Sequence, residues 1–306
     1  MTLEDVLRIL YQVIGEHCAT HLARFLVDNS APHLIIASDY VISDKNRFRN
    51  TFCYTIYPIN SELVSTLQEI KTQIPNDLKH TVRIDDHIIE CLRARERFTF
   101  CFVVRKGRRF FDNADDVRSS LDRTLEIISG RENWKEQITT LRRLRQEASA
   151  KQFNFHLLSN ITLASVFAAI IAMFVTKLSA CHSVYWFSDR DSIISAYKNV
   201  AFDLFGMHFH QACHEYGTRY SDVKLGVGSM TTEVWYDELI RVPDFIAGAL
   251  SGFDRDTRRV CTQKHLDLLT KVIADAPNIV SIETEVGRNA FGCSPMLLSQ
   301  KPFTRA

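Results

Sequence analysis

Residues 231–252 read TTEVWYDELIRVPDFIAGALSG. Apolar side chains recur every three or four positions at Trp235, Leu239, Val242, Ile246 and Leu250, which is the spacing of one buried helical stripe. Pro243 interrupts it. Proline has no N–H to donate and its ring crowds the preceding turn, so the expected geometry is one helix ending near Val242 and a second starting at Pro243. Asp244 then falls in a first turn, where free N–H groups and the positive end of the helix dipole favour a carboxylate. Ala247, Gly248 and Ala249 are small enough to let that helix approach a sheet closely.

On the N-terminal side of this stretch, strand-like and helix-like runs succeed one another. Residues 1–29 carry Leu3, Val6, Leu7, Leu10, Val13 and Ile14, then Leu22, Phe25 and Leu26, at helical spacing. HLIIASDYV (33–41) and TFCYTIYPI (51–59) flank a polar turn containing Asp44, Lys45 and Asn46, which predicts a β-hairpin with Asp39 on its first strand. Helices are expected from Ser61 to Gln73 and from Asp85 to Arg95, followed by a third strand, FTFCFVVR (98–105), that ends in the basic loop RKGRRF. From Ala114 to Ser179 the pattern is almost wholly helical, far longer than a strand crossover needs, so residues from about 131 to 160 are expected to form an inserted helical arm. SVYWFSDRDS (183–192) reads as a fourth strand ending in Asp189 and Asp191; a helix from Ile193 to Gly217 and a fifth strand, VKLGVGS, follow. Beyond Gly252 an amphipathic helix from about Asp256 to Asp275 and an edge strand, NIVSIETEV, complete the chain. No repeat, low-complexity tract or linker divides it. The expected fold class is therefore α/β: a single domain over residues 1–306, with N-terminal helices over 1–30 and a mixed sheet of about five strands flanked by helices.

Composition narrows the function classes. At 306 residues with 46% hydrophobic side chains the chain builds a sizeable core, and 37 Lys plus Arg against 36 acids leave no overall positive field, so nucleic-acid contact must use a local patch. Eight cysteines are scattered with no C-x-x-C pair, and Cys53 and Cys101 lie inside apolar strand-like runs. That pattern predicts reduced, buried thiols and a cytoplasmic protein. Glu4 and Asp5 stand at the start of the first apolar run, which is the wrong start for a signal peptide. Residues 157–176, LLSNITLASVFAAIIAMFVT, hold no charge and are long enough to span a bilayer. Ser159, Asn160, Thr162 and Ser165 interrupt them and the run continues an amphipathic helix, so a buried core helix is expected rather than a membrane span.

The octapeptide PDFIAGAL (243–250) is similar to the helix that closes a prokaryotic and phage family of ribonuclease H-like proteins, the DUF 3800 type, whose first strand usually ends in Asp-Glu-Ser-Gly. In that family the helix aspartate completes a group of carboxylates expected to bind metal. The order of elements here, three antiparallel strands, a helical excursion, a fourth strand ending in acid, a fifth strand and an acid-bearing helix, is also that of a ribonuclease H-like sheet. The resemblance implies that Asp39, Asp189 and Asp244 meet at one point, with Asp191 and Asp44 as reserve ligands. Converging carboxylates repel one another, and hard divalent cations, Mg²⁺ or Mn²⁺, remove that cost. Two such ions about 4 Å apart activate water and stabilise the leaving oxygen in phosphodiester hydrolysis. Where the family carries Asp-Glu-Ser-Gly this chain has Ser38, Asp39, Tyr40 and Val41, so the second carboxylate and the glycine are missing. A degenerate, single-metal or non-catalytic site stays open, and SDRDS by itself is ordinary capping chemistry.

Two further groups merit attention. In MHFHQACHEYG, His210 and His214 lie four apart on one helix face, with His208, Cys213 and Glu215 near, which is a possible zinc arrangement. The order is not H-E-x-x-H and no second ligand cluster follows, so surface or packing histidines are the simpler reading. Arg105, Lys106, Arg108 and Arg109, followed by Phe110 and Phe111, form a loop suited to holding phosphates and stacking a base; Arg142, Arg143 and Arg145 add a cluster on the arm. A solvated loop and a solvated helix face explain both equally well. The leading expectation is a ribonuclease H-like nuclease that hydrolyses RNA or DNA with Mg²⁺ or Mn²⁺. The rival is a non-catalytic module whose helical arm recruits a protein partner.

Overall fold

The structure is a computed structural model, which describes residues 2–130, 134–220, 222–228, 234–287 and 290–299. Strands β1 (His33–Val41), β2 (Arg49–Pro58) and β3 (Phe98–Arg105) form an antiparallel meander. β4 (Ser183–Ser188) runs parallel to β1 on its free side, and β5 (Lys224–Val227) runs parallel to β4. A two-stranded hairpin, β6 (Phe253–Asp254) with β7 (Arg259–Val260), stands apart from the sheet. β8 (Ile279–Gly287) adds parallel to β3 and β9 (Ala290–Pro295) closes the far edge, giving a mixed seven-stranded sheet in the order β5-β4-β1-β2-β3-β8-β9.

Helices cover both faces, so the central strands read as nearly continuous apolar runs. On one face lie α1 (Leu3–His17), α2 (Ala19–Asp28), α5 (Ala114–Ile128), α6 (Lys135–Glu147), α7 (Phe155–Leu178) and α8 (Ser192–Glu215). On the other lie α3 (Leu63–Gln73), α4 (Asp86–Leu92), α9 (Asp237–Ser251) and the short α10 (Gln263–Asp267). Strand alternation allots Leu34, Ile36, Phe52 and Tyr54 to the first core and Ile35, Ala37, Cys53 and Tyr57 to the second. α7 is long and apolar enough to cross a membrane, yet every residue from Leu158 to Thr176 is buried inside the protein. Phe167 stacks on Phe102 of the sheet with centroids 3.9 Å apart, Tyr54 Oη donates to Ala164 O at 2.8 Å, and Ser165 Oγ donates to Ile161 O and Ala201 O. The hydroxyls of Ser159 and Ser165 are thus satisfied by neighbouring backbone, as a core helix requires.

α9 corrects the first expectation. It is one continuous helix through Pro243, so Asp244 sits in its interior rather than in a first turn. The missing proline N–H orphans Leu239 O, and the buried Tyr57 hydroxyl donates to that oxygen at 3.0 Å. Leu239, Val242, Ile246 and Leu250 form the buried stripe, while Trp235 is 55% exposed ahead of the helix; residues 231–233 lie outside the described residues.

Other differences have equally local causes. β8 is interior rather than an edge, because AFGCSP, turn-like in composition, pairs beside it as β9. The helix expected over 256–275 starts only at Gln263, after the β6–β7 hairpin, and continues from α10 into a π-helical turn, Leu268–Ile273. α8 contains a break at residues 196–199, where Tyr197, Lys198 and Asn199 take φ of 50°, 60° and 61°. Cys53 and Cys101 do not remain reduced thiols: they face each other across β2 and β3 with Cα atoms 4.4 Å apart and form a disulfide. Residues 131–133, where the arm was expected to begin, lie outside the described residues; α6 packs on α5 and α8 and buries Leu141 and Leu144.

Candidate functional site

β1 and β4 are parallel, so their carboxyl ends open on the same side of the sheet, where α/β proteins bind ligands. Continuing the alternation of Ile35 and Ala37, Asp39 falls on the α9 face, and beyond the paired residues Ser38 and Ser188 the chain turns with Asp189 N donating to Ser38 O at 3.3 Å. Asp39, Asp189, Asp191 and Asp244 line one cleft of about 390 Å³, together with Asp44, Arg47, Asp77, Lys79, Arg190 and Asp237. The structure therefore places the three expected acids, Asp39, Asp189 and Asp244, and both reserve acids, Asp191 and Asp44, along one cleft.

Each acid is held differently. Asp191 caps α8, its Oδ1 accepting from Ile193 N at 2.8 Å and Ile194 N at 3.2 Å. Asp189 Oδ1 accepts from Arg190 N at 2.8 Å, and Arg190 Nη2 in turn donates to Asp237 Oδ2 at 3.1 Å. Asp244 Oδ2 accepts from Leu78 N at 3.1 Å. Asp44 is a turn residue, accepting from Asn46 N and lying 3.6 Å from Arg47 Nε.

The Leu78 contact rests on devices the sequence reading missed. Gly248 of α9 faces Leu78, and a Cβ there would lie 2.4 Å from Leu78 Cδ2, so glycine leaves room for the Leu78 side chain of the 3₁₀ turn Leu78–His80 beside Asp244. Lys264, at the start of α10, donates through one ammonium to Leu78 O, Lys79 O and Thr81 O at 2.6, 3.2 and 3.1 Å. Neither role has a local signal, because the partners lie 166 to 186 residues apart in sequence.

The acids feel one another. Burial, then the charges of Asp244 and Asp189, push the Asp39 carboxyl well above its ordinary range; the Tyr40 N–H partly offsets this and Asp191 adds to it. Burial raises Asp244 to about 6, against the Leu78 N–H, and burial likewise raises Asp191 to about 6. Among the described residues no group of three or more His, Cys, Asp or Glu side chains is placed to enclose a metal ion as it stands. The donor set nevertheless suits a hard cation: all four are carboxylates, and those of Asp189, Asp191 and Asp244 are each held by backbone N–H groups through one oxygen.

In the basic loop after β3 the arginines stay exposed while Lys106, Phe110 and Phe111 turn inward. Arg105 Nη2 pairs with Asp256 Oδ2 at 3.1 Å and Arg109 Nε with Asp112 Oδ1 at 2.7 Å, while Lys106 Nζ donates to Asp44 O and Arg47 O at the cleft rim. Arg108 is exposed. Phe110 and Phe111 are buried, with both their N–H groups donating to Ser159 Oγ, so neither ring is a stacking platform. On the arm, Arg143 pairs with Glu147 at 3.3 Å and Arg145 with Asp122. The histidines separate: His208 points into the core, 2% exposed and with neither ring nitrogen hydrogen-bonded, while His210 and His214 line a different cavity from the acids.

Compared with known proteins, the chain matches no family model, no curated protein and no solved structure.

Proposed function

We propose that this is a ribonuclease H-like protein whose acidic cleft binds Mg²⁺ or Mn²⁺ and hydrolyses phosphodiester bonds in RNA or DNA. The observation that carries the reading is the meeting of Asp39, Asp189, Asp191 and Asp244 in one cleft, with Asp39 raised by burial and then by the charges of the other three. The strand order β5-β4-β1-β2-β3, with β4 and β5 parallel to β1, and the acid-bearing α9 packed on that face support the fold assignment. Asp39, Asp189 and Asp244 would hold the metal, Asp191 contributing the oxygen not used in its cap. The bound ion would supply activation of water and charge stabilisation at phosphorus.

The chain's own groups have separable tasks. The Leu78 N–H and the turn held by Lys264 fix the Asp244 carboxylate, and Arg190 keeps Asp237 from adding its charge to the cluster. Lys79 and Arg47 also line the cleft and are the cations offered to substrate phosphates. Because the Lys106 ammonium is bound to two carbonyls, it braces the rim, and phosphate contact by the loop falls first to the exposed Arg108, with Arg105 and Arg109 exchanging Asp256 and Asp112 for phosphate.

A second reading, a non-catalytic binding module acting through a protein partner, draws support from the absent second acid after Asp39. Thermal unfolding with Mn²⁺ decides between them. The nuclease reading expects a saturable rise in Tm that Asp39→Asn and Asp244→Asn largely abolish, with metal-free variants no less stable than wild type because repulsion is relieved. Cleavage of single-stranded RNA or DNA should fall with the same substitutions. Absence of both the Mn²⁺-dependent rise and cleavage leaves the binding module.

A further inference from the structure

A second cavity lies on the other layer of the molecule, between α1, the end of α5, the start of α6 and the last turns of α8. Its volume is about 250 Å³, just under the roughly 300 Å³ at which small-molecule pockets begin and enough for a small ligand. Trp134, His210 and Tyr220 wall it: the His210 ring meets Trp134 edge-to-face at 5.4 Å and Tyr220 at 5.0 Å, and the Trp134 ring lies against Gly206. Met207 and Ile128, both buried, and the half-exposed Ile127 supply apolar surface. Two carboxylates, Glu4 and Glu215, stand among the lining residues, and no lysine or arginine does among those described.

The placement of Glu215 is informative. Glu4 belongs to the first turn of α1, where an acid helps the helix, but Glu215 ends α8, where the dipole disfavours a negative charge. Helix stability therefore does not account for Glu215. Aromatic faces attract cations through the ring quadrupole, with tryptophan the strongest, and acids around an apolar cavity add attraction of the same sign. We infer that this cavity is a binding site for a small organic cation with an apolar body, an arylalkyl or alkyl ammonium. It is separate from the acidic cleft and stands whether or not that cleft is a nuclease site.

The test uses the full chain at pH 8, above the ordinary imidazole range. Binding of phenylethylammonium, its neutral counterpart 2-phenylethanol and the anion 3-phenylpropionate is measured by calorimetry. Saturable binding of the ammonium, at least about tenfold tighter than the alcohol and with the anion weakest, is expected. Glu215→Gln, an exposed change that leaves packing intact, should weaken the ammonium severalfold while sparing the alcohol; Trp134→Ala should weaken both; Asp39→Asn should change neither. No saturable ammonium binding, equal binding of all three probes, or wild-type ammonium affinity in Glu215→Gln overturns the assignment.

Discussion

His208 is the residue whose position is hardest to reconcile with stability alone. Burial holds its imidazole neutral, lowering its pKa to about 3, and both ring nitrogens lack a hydrogen bond. The unfolded chain takes up a proton near the ordinary value of about 6.5 while the folded chain does not, so stability is lost as pH falls from about 6.5 towards 3. Replacing His208 with leucine removes that proton linkage together with two unsatisfied polar atoms. The variant is expected to be about 1–3 kcal/mol more stable at neutral pH and to show a flatter fall in stability between pH 6.5 and 4.5, read from urea midpoints. An unchanged acid slope would assign the acid sensitivity to other groups, of which His265, also lowered to about 3, is the nearest candidate.

At the scale of the element, α9 shows how one side chain rewrites a sequence rule. Tyr57 on β2 donates to the carbonyl that Pro243 leaves orphaned, so the helix passes through the proline and is tied to the sheet at that point. Tyr57→Phe is expected to cost about 1–3 kcal/mol in the wild-type chain and distinctly less beside Pro243→Ala, whose restored N–H reclaims Leu239 O. A double-mutant cycle of denaturation free energies measures this; equal costs in both backgrounds would break the link. Elements of this kind mark what was legible in advance. β1 and β3 were readable to the residue because alternation and apolar runs are local, whereas Asp39, Asp189 and Asp244 were singled out, with Asp191 in reserve, by the likeness of PDFIAGAL and of the element order to a ribonuclease H-like sheet. Continuous passage through Pro243, the Gly248–Leu78 approach and the Lys264 brace were not readable, since each depends on a partner more than 150 residues away. β9 was missed because glycine, serine and proline suit turns as well as an edge strand.

For the molecule as a whole, the sheet separates two cores, and the larger is centred on α7. Phe167→Ala in the stack with Phe102 should cost about 3–5 kcal/mol with an unchanged m value, since it opens a cavity where no relaxation is near. A fall in m instead would mean that the two faces unfold separately. The helix at the centre of that core has a consequence for the chain before it is folded. During synthesis the whole β1–β3 meander that α7 will cover precedes it, but β4 and α8 come later. Until they arrive, a segment indistinguishable by length and hydropathy from a bilayer-crossing helix stands with part of its surface bare. Its correct destination is therefore a matter of timing: packing against the nascent meander competes with insertion and aggregation, and the arrival of the remaining strands closes that interval.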